Sequence, residues 1–184
     1  ESIHHVDIWI WMPHVCAVTP TFKSLNRCAH ALDPIQINDA TLPVTLYGDR
    51  APQAVASFVS LTQKGFFNGV SCHRLTTAGI FVLQCGDPKG DGTGGPGYSF
   101  GPIENAPTDN LYKKGYLAMA RQGGNASSMG SQFFIVYADS TIPSDAVGGY
   151  TVFGERKDTT KNIPEYQGLT PADYPGDNSE YKLN

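Results

Sequence analysis

The apolar residues of this chain come in short runs, and glycine or proline closes almost every one. The runs include Val70 to Leu75, Ile80 to Cys85, Tyr116 to Ala120, Gln132 to Tyr137 and Tyr150 to Phe153. The 20 Gly and 13 Pro in 184 residues point to many turns and short strands rather than a helical bundle. One window reads differently. Asp49-Arg50-Ala51-Pro52 opens a helix, with Pro52 suited to its first turn. Val55, Phe58, Val59 and Thr62 then fall on one face, flanked by Ala54 and Leu61, and Gly65 is placed to end it. The helix is about three to four turns long. One helix followed by many short strands predicts a mainly β fold, a closed or nearly closed barrel with a helical cap.

The periodic texture begins at Ile35. Ile35-Gln36-Ile37 and Leu42 to Tyr47 alternate like strands joined by Asn38-Asp39. Residues 1–34 have no clear period and form a divergent N-terminal segment; residues 35–157 form the domain. Residues 158–184, with Pro164, Pro171 and Pro175, read as an irregular tail. The chain begins with Glu1 rather than Met, as expected of a processed, trimmed or incomplete product.

Several function classes are disfavoured. The net charge of −4 weighs against a broad nucleic-acid face. No apolar run approaches the ~18 residues that span a bilayer. His4, His5, His14 and His30 lack HxH or HExxH spacing, so no metal is expected there. Cys16, Cys28, Cys72 and Cys85 form no CxxC pair, which predicts free thiols and a reducing, cytoplasmic compartment. Gly90-Asp91-Gly92-Thr93-Gly94-Gly95 matches GxGxxG as text. Pro96 and Pro107 deny it the helix that a dinucleotide site needs, so it reads as a turn-rich loop.

Candidate chemistry gathers in two stretches, Cys72 to Asp87 and Gly130 to Val136. Both set long polar side chains, Arg74, Gln84 and Gln132, among aromatic and branched apolar residues. Apolar walls with a few fixed donors describe a pocket for an apolar group beside an amide. Arg74 stays protonated and offers several donors in one plane; the alternative is a structural arginine paired with a carboxylate. Phe133 and Phe134 are adjacent on a strand, so one faces the core and the other is free to line a site. Gln84 and Gln132 either orient Arg74, bond a substrate backbone, or lie on a solvent face. His73 is expected to be packed and hydrogen-bonded, because no orienting carboxylate or nucleophile accompanies it.

These motifs, taken in order with Gly65-Phe66-Phe67-Asn68-Gly69, Gly92 to Gly95, Leu117 to Ala120 and Tyr150 to Gly154, resemble the cyclophilins, the peptidyl-prolyl cis-trans isomerases. The resemblance runs from about Leu42 to Glu155. The variant His73-Arg74-Leu75-Thr76-Thr77-Ala78-Gly79 is most similar to bacterial, particularly actinobacterial, members. It implies a catalytic Arg74 and a proline pocket walled by Phe81, Phe134 and Ile142. Gln84, Ala120 and Gln132 would contact or support the peptide backbone. Tyr150 would take the rim position that is often histidine. The implied activity is rotation of Xaa-Pro bonds during protein folding, without cofactor, on proline-containing peptides and unfolded proteins; a proline-peptide binding or chaperone module is the alternative. A monomer is expected.

The sequence departs from the family at several points. More residues than usual separate Arg74 from Phe81. The segment Arg121 to Met129 is longer than usual and begins with arginine where asparagine is typical. Thr141-Ile142-Pro143 lacks tryptophan, so weak cyclosporin binding at most is expected. The family's C-terminal helix and final strand are missing or divergent in residues 158–184. The strand-like Val6 to Met12 is expected to cover part of the gap.

Overall fold

A computed structural model of the chain describes residues 7–10, 35–37 and 40–157. Twelve strands and one helix occur among them: β1 (Asp7–Ile10), β2 (Ile35–Ile37), β3 (Ala40–Leu42), β4 (Val44–Leu46), α1 (Pro52–Gln63), β5 (Val70–Ser71), β6 (Arg74–Leu75), β7 (Val82–Cys85), β8 (Leu111–Tyr112), β9 (Tyr116–Met119), β10 (Phe133–Val136), β11 (Ser140–Thr141) and β12 (Val152–Arg156). The strands form a four-stranded sheet, β3-β2-β1-β5, a six-stranded sheet, β4-β12-β9-β10-β7-β6, and the small pair β11-β8. Every pairing is antiparallel.

The two large sheets are joined at both edges. Pro43 alone links β3 to β4, and Cys72-His73 links β5 to β6. Short joints at both edges roll the sheets into a barrel. Pro43 also divides the expected Leu42 to Tyr47 strand in two. Lacking an N–H, it cannot continue a ladder, and the chain passes from one sheet to the other there.

Side chains alternate between two apolar clusters with the two-residue period of a strand. Leu83, Leu117, Phe133, Ile135 and Phe153 point inward and meet Phe58 and Leu61 of α1. Val82, Ala118, Phe134, Val136 and Val152 point the other way and gather around Tyr112. All four residues of β10 are buried because both of its faces are covered. Inside the barrel, Phe58 packs against Phe67, Phe133 and Phe153 with ring centroids 5.0–5.4 Å apart.

The helix starts at Pro52 and carries Ala54, Val55, Phe58, Leu61 and Thr62 on its buried face. No local side chain caps it. Instead Glu104 accepts hydrogen bonds from the Gln53 and Ala54 N–H groups at 3.1–3.2 Å. A carboxylate at a helix N-terminus satisfies orphan donors and opposes the dipole. Past the C-cap Lys64, Gly65 sits at φ +67°, the left-handed conformation that glycine adopts without strain.

Two readings are resolved by strand register. The pairing Arg74↔Gln84 brings Cys72 beside Cys85, and the two are joined in a disulfide with Cα atoms 4.0 Å apart. This corrects the expectation of free thiols at those positions. Linear spacing carried no signal, because it is the antiparallel ladder that makes them neighbours. The reducing, cytoplasmic compartment inferred from free thiols loses that support. Cys16, Cys28 and the four histidines before Pro34 lie outside the described residues. β1 pairs with both β2 and β5, so Asp7–Ile10 bridges two strands of the four-stranded sheet. The expected divergence of residues 158–184 also lies outside the described residues. No described helix is long and apolar enough to cross a membrane.

Candidate functional site

A cavity of about 300 Å³ opens on the outward face of the six-stranded sheet. Its apolar wall is made by Ile80, Val82, Ala120, Phe134, Ile142 and Tyr150. Its polar side carries His73, Arg74, Gln84, Asp91, Gly92 and Arg121. The period of the strands explains the selection. On β6, Leu75 is committed to the barrel interior, so Arg74 faces the cavity. On β7, Leu83 and Cys85 face inward, leaving Val82 and Gln84 for the cavity. On β10, Phe133 is fully buried among the inward residues while Phe134 lines the cavity.

The polar side is ordered by a relay. Arg74 Nη1 donates to Gln84 Oε1 at 3.1 Å. Gln84 Nε2 donates to Gln132 Oε1 at 2.9 Å. Gln132 Nε2 in turn donates to the Gly92 and Gly94 carbonyls at 3.0 and 2.8 Å. The relay therefore ties the guanidinium to the glycine-rich loop. Asp87 holds the same loop from beneath, accepting from the Lys89 and Gly92 N–H groups. No helix follows the loop, in keeping with the rejected nucleotide reading.

Of the residues singled out from sequence, Arg74, Gln84, Ala120, Phe134, Ile142 and Tyr150 meet at the cavity. Gln132 stands behind it as a support. Phe81 is not among the residues that line the cavity, and its neighbour Ile80 is. Val82 and Gln84 share the cavity face of β7, while Ile80 and Phe81 precede the strand. The Phe81 ring packs edge-on against Tyr137, at 5.8 Å between centroids.

The apolar wall is fixed from below. The Tyr112 hydroxyl accepts from the Tyr150 N–H at 2.6 Å and donates to the Tyr150 carbonyl at 3.3 Å. The Tyr150 ring stands edge-on to Phe134 at 5.5 Å. Burial raises the Tyr112 phenol above its ordinary pKa, so it stays protonated and keeps both bonds. His73 is 3% exposed, and neither ring nitrogen has a hydrogen-bond partner among the described residues. The histidine is packed as expected, and the Gln132 side chain is a polar group that acts on its ring. Burial pushes it below its ordinary pKa, Arg74 adds to that, and Asp87 opposes it.

Residues 34–170 match the family described as Cyclophilin type peptidyl-prolyl cis-trans isomerase/CLD. This chain belongs to the cyclophilin family. The "Probable peptidyl-prolyl cis-trans isomerase B" of Mycobacterium tuberculosis is 48% identical over 141 residues, covering 66% of this chain and 43% of the relative. The chain thus spans less than half the length of that relative. The "Peptidyl-prolyl cis-trans isomerase" of Helicobacter pylori is 40% identical over 151 residues, with 82% of each chain covered. Among solved structures, a Cryptosporidium parvum cyclophilin type isomerase, determined in the presence of the dipeptide Ala-Pro, is similar with a TM-score of 0.59 and 28% identity. It covers 80% of this chain and 88% of that one.

One element of this cyclophilin site was not legible beforehand. In the sequence Arg121 stands out only as a departure from asparagine. In the fold its side chain is 1% exposed and pairs with Asp145, whose pKa the guanidinium holds well below the usual carboxylate range. The partner lies 24 residues away across a loop crossing, so no linear pattern announces it.

Proposed function

We propose that this cyclophilin domain accelerates rotation about Xaa-Pro peptide bonds in proline-containing peptides and unfolded chains. The observation that carries the reading is Arg74, held by the Gln84–Gln132 relay at the edge of an apolar cavity. The proline ring occupies the wall formed by Val82, Phe134, Ile142 and Tyr150. This places the prolyl nitrogen on the polar side, toward Arg74.

Rotation is slow because the amide C–N bond has partial double-bond character, with a barrier of ~18–20 kcal/mol. As the bond twists, the nitrogen lone pair leaves conjugation and becomes able to accept a hydrogen bond. A guanidinium donating to that lone pair stabilises the twisted state and offers little to the planar one. Such differential stabilisation raises rate, and each ~1.4 kcal/mol is worth tenfold. No nucleophile, metal or general base enters the scheme. The absence of tryptophan in Thr141-Ile142-Pro143 goes with weak cyclosporin binding.

The test is cis-trans exchange in an Ala-Pro-Phe-type peptide, followed by NMR with and without the protein. Acceleration at substoichiometric protein is the expected result. Peptide binding without acceleration overturns the isomerase reading and leaves a proline-peptide binding module in its place.

A further inference from the structure

Arg121 enters the cavity wall, yet its guanidinium has nothing left to offer a peptide. Nε donates to the Gly149 carbonyl at 2.9 Å. Nη1 donates to the Gln122 carbonyl at 3.1 Å and to Asp145 Oδ2 at 2.9 Å. Nη2 donates to Asp145 Oδ1 at 3.0 Å and to the Gly148 carbonyl at 2.6 Å. An arginine has five N–H donors, and all of them are used here. What remains is the face of the guanidinium, and it lies over the Tyr150 ring at 4.9 Å from the centroid.

Two segments converge on this one group. Asp145, held in the bidentate pair, also accepts from the Gly124 and Val147 N–H groups at 2.8 and 3.0 Å. The loop after Ala120 and the turn before Tyr150 are thereby locked to each other. Gly148 and Gly149, whose carbonyls Arg121 grips, lead directly into Tyr150. A bidentate arginine–carboxylate pair fixes orientation as well as distance, which a lysine cannot do.

We infer that Arg121 and Asp145 form a clamp that positions Tyr150 as the rim of the proline pocket, so that Arg121 is a positioning residue for peptide binding. The inference rests on the proposed function for the identity of the ligand. It goes beyond that reading by giving substrate affinity to a pair of residues that need not touch the substrate. Arg74 acts on the twisted amide, whereas the clamp acts on both amide states alike. Its loss therefore raises KM and spares kcat.

The experiment measures the Kd of an Ala-Pro-Phe-type peptide and the kcat of its cis-trans exchange in six proteins, and the ring resonances of Tyr150 in the four that retain it. The six are the wild type, Arg121→Ala, Arg121→Lys, Asp145→Asn, Tyr150→Ala and the double variant Arg121→Ala/Tyr150→Ala. Arg121→Ala should weaken binding about tenfold and shift the Tyr150 resonances in the free protein, with kcat within about twofold. Asp145→Asn should move both readouts the same way, and Arg121→Lys should not restore them. The double variant should bind no worse than Tyr150→Ala alone, because the two changes remove one effect. If Arg121→Ala does not fold, Asp145→Asn carries the test. Unchanged Kd and unchanged Tyr150 resonances in Asp145→Asn would overturn the clamp. Multiplicative losses in the double variant would overturn it too. A wild type that binds peptide without accelerating exchange overturns the isomerase reading alone, since Kd and ring resonances still report on the clamp. A wild type that binds no peptide overturns both.

Discussion

Gln84 Oε1 accepts from Arg74 Nη1 at 3.1 Å, and the two residues face each other as a register pair across β6 and β7. The glutamine can hold the arginine because its own amide is committed to Gln132. Its carbonyl end therefore points toward the guanidinium. Gln84→Leu should lower kcat/KM by about tenfold while the fold is retained, since one hydrogen bond to a charged group is lost. Exchange kinetics at several peptide concentrations check this; unchanged kinetics would show that Arg74 needs no such support.

Glu104 caps α1 from a distant part of the chain. Glu104→Ala should cost about 1–2 kcal/mol of stability, in the range of lost helix caps. Urea denaturation of the two proteins measures the difference. A loss smaller than a few tenths would mean that water satisfies the helix end equally well.

Phe133 and Phe134 are neighbours with opposite duties. Phe133 is fully buried between Phe58, Phe67 and Phe153. Phe133→Ala should cost ~3–5 kcal/mol, as large-to-small changes in a packed core do. Phe134→Ala should cost less stability, because part of its ring borders the open cavity, and should abolish peptide binding. Equal stability losses with equal peptide affinities would contradict the assignment of faces.

Much of this was legible from the strand period. The alternation put Phe133 and Phe134 on opposite faces, the resemblance gave Phe134 to the site, and the amphipathic pattern located α1 within a residue or two. After the Thr76 to Gly79 loop the resemblance points to Phe81, whereas Ile80 is the residue that lines the cavity. The loop ends just before β7, so strand alternation does not reach these two residues. Contacts made across the chain were not legible at all. The Cys72–Cys85 disulfide, the Glu104 cap and the Arg121–Asp145 pair each depend on how strands and loops meet in space. The two-residue strands β8 and β11 were also missed, being too short to carry a period.

His73 makes stability depend on pH. Buried in the fold, it resists protonation there, whereas the unfolded chain protonates near its ordinary value of about 6.5. The unfolded state therefore binds more protons below that pH. The contribution of His73 is fully present above pH 6.5 and declines as pH falls, levelling where the folded histidine takes its own proton. Unfolding free energy measured at pH 7.5 and 5.5 should fall more steeply in the wild type than in His73→Gln. Parallel slopes would place the pH dependence elsewhere.

The claim at the centre of the account is that the Arg74 guanidinium stabilises the twisted prolyl amide. Its most direct test is the NMR exchange rate of an Ala-Pro-Phe-type peptide, compared between wild type and Arg74→Ala at saturating peptide. The account predicts that kcat falls by about 10²–10³-fold, the scale of removing one preorganised donor from a developing charge, with peptide affinity changed far less. Equal kcat in the two proteins would contradict it.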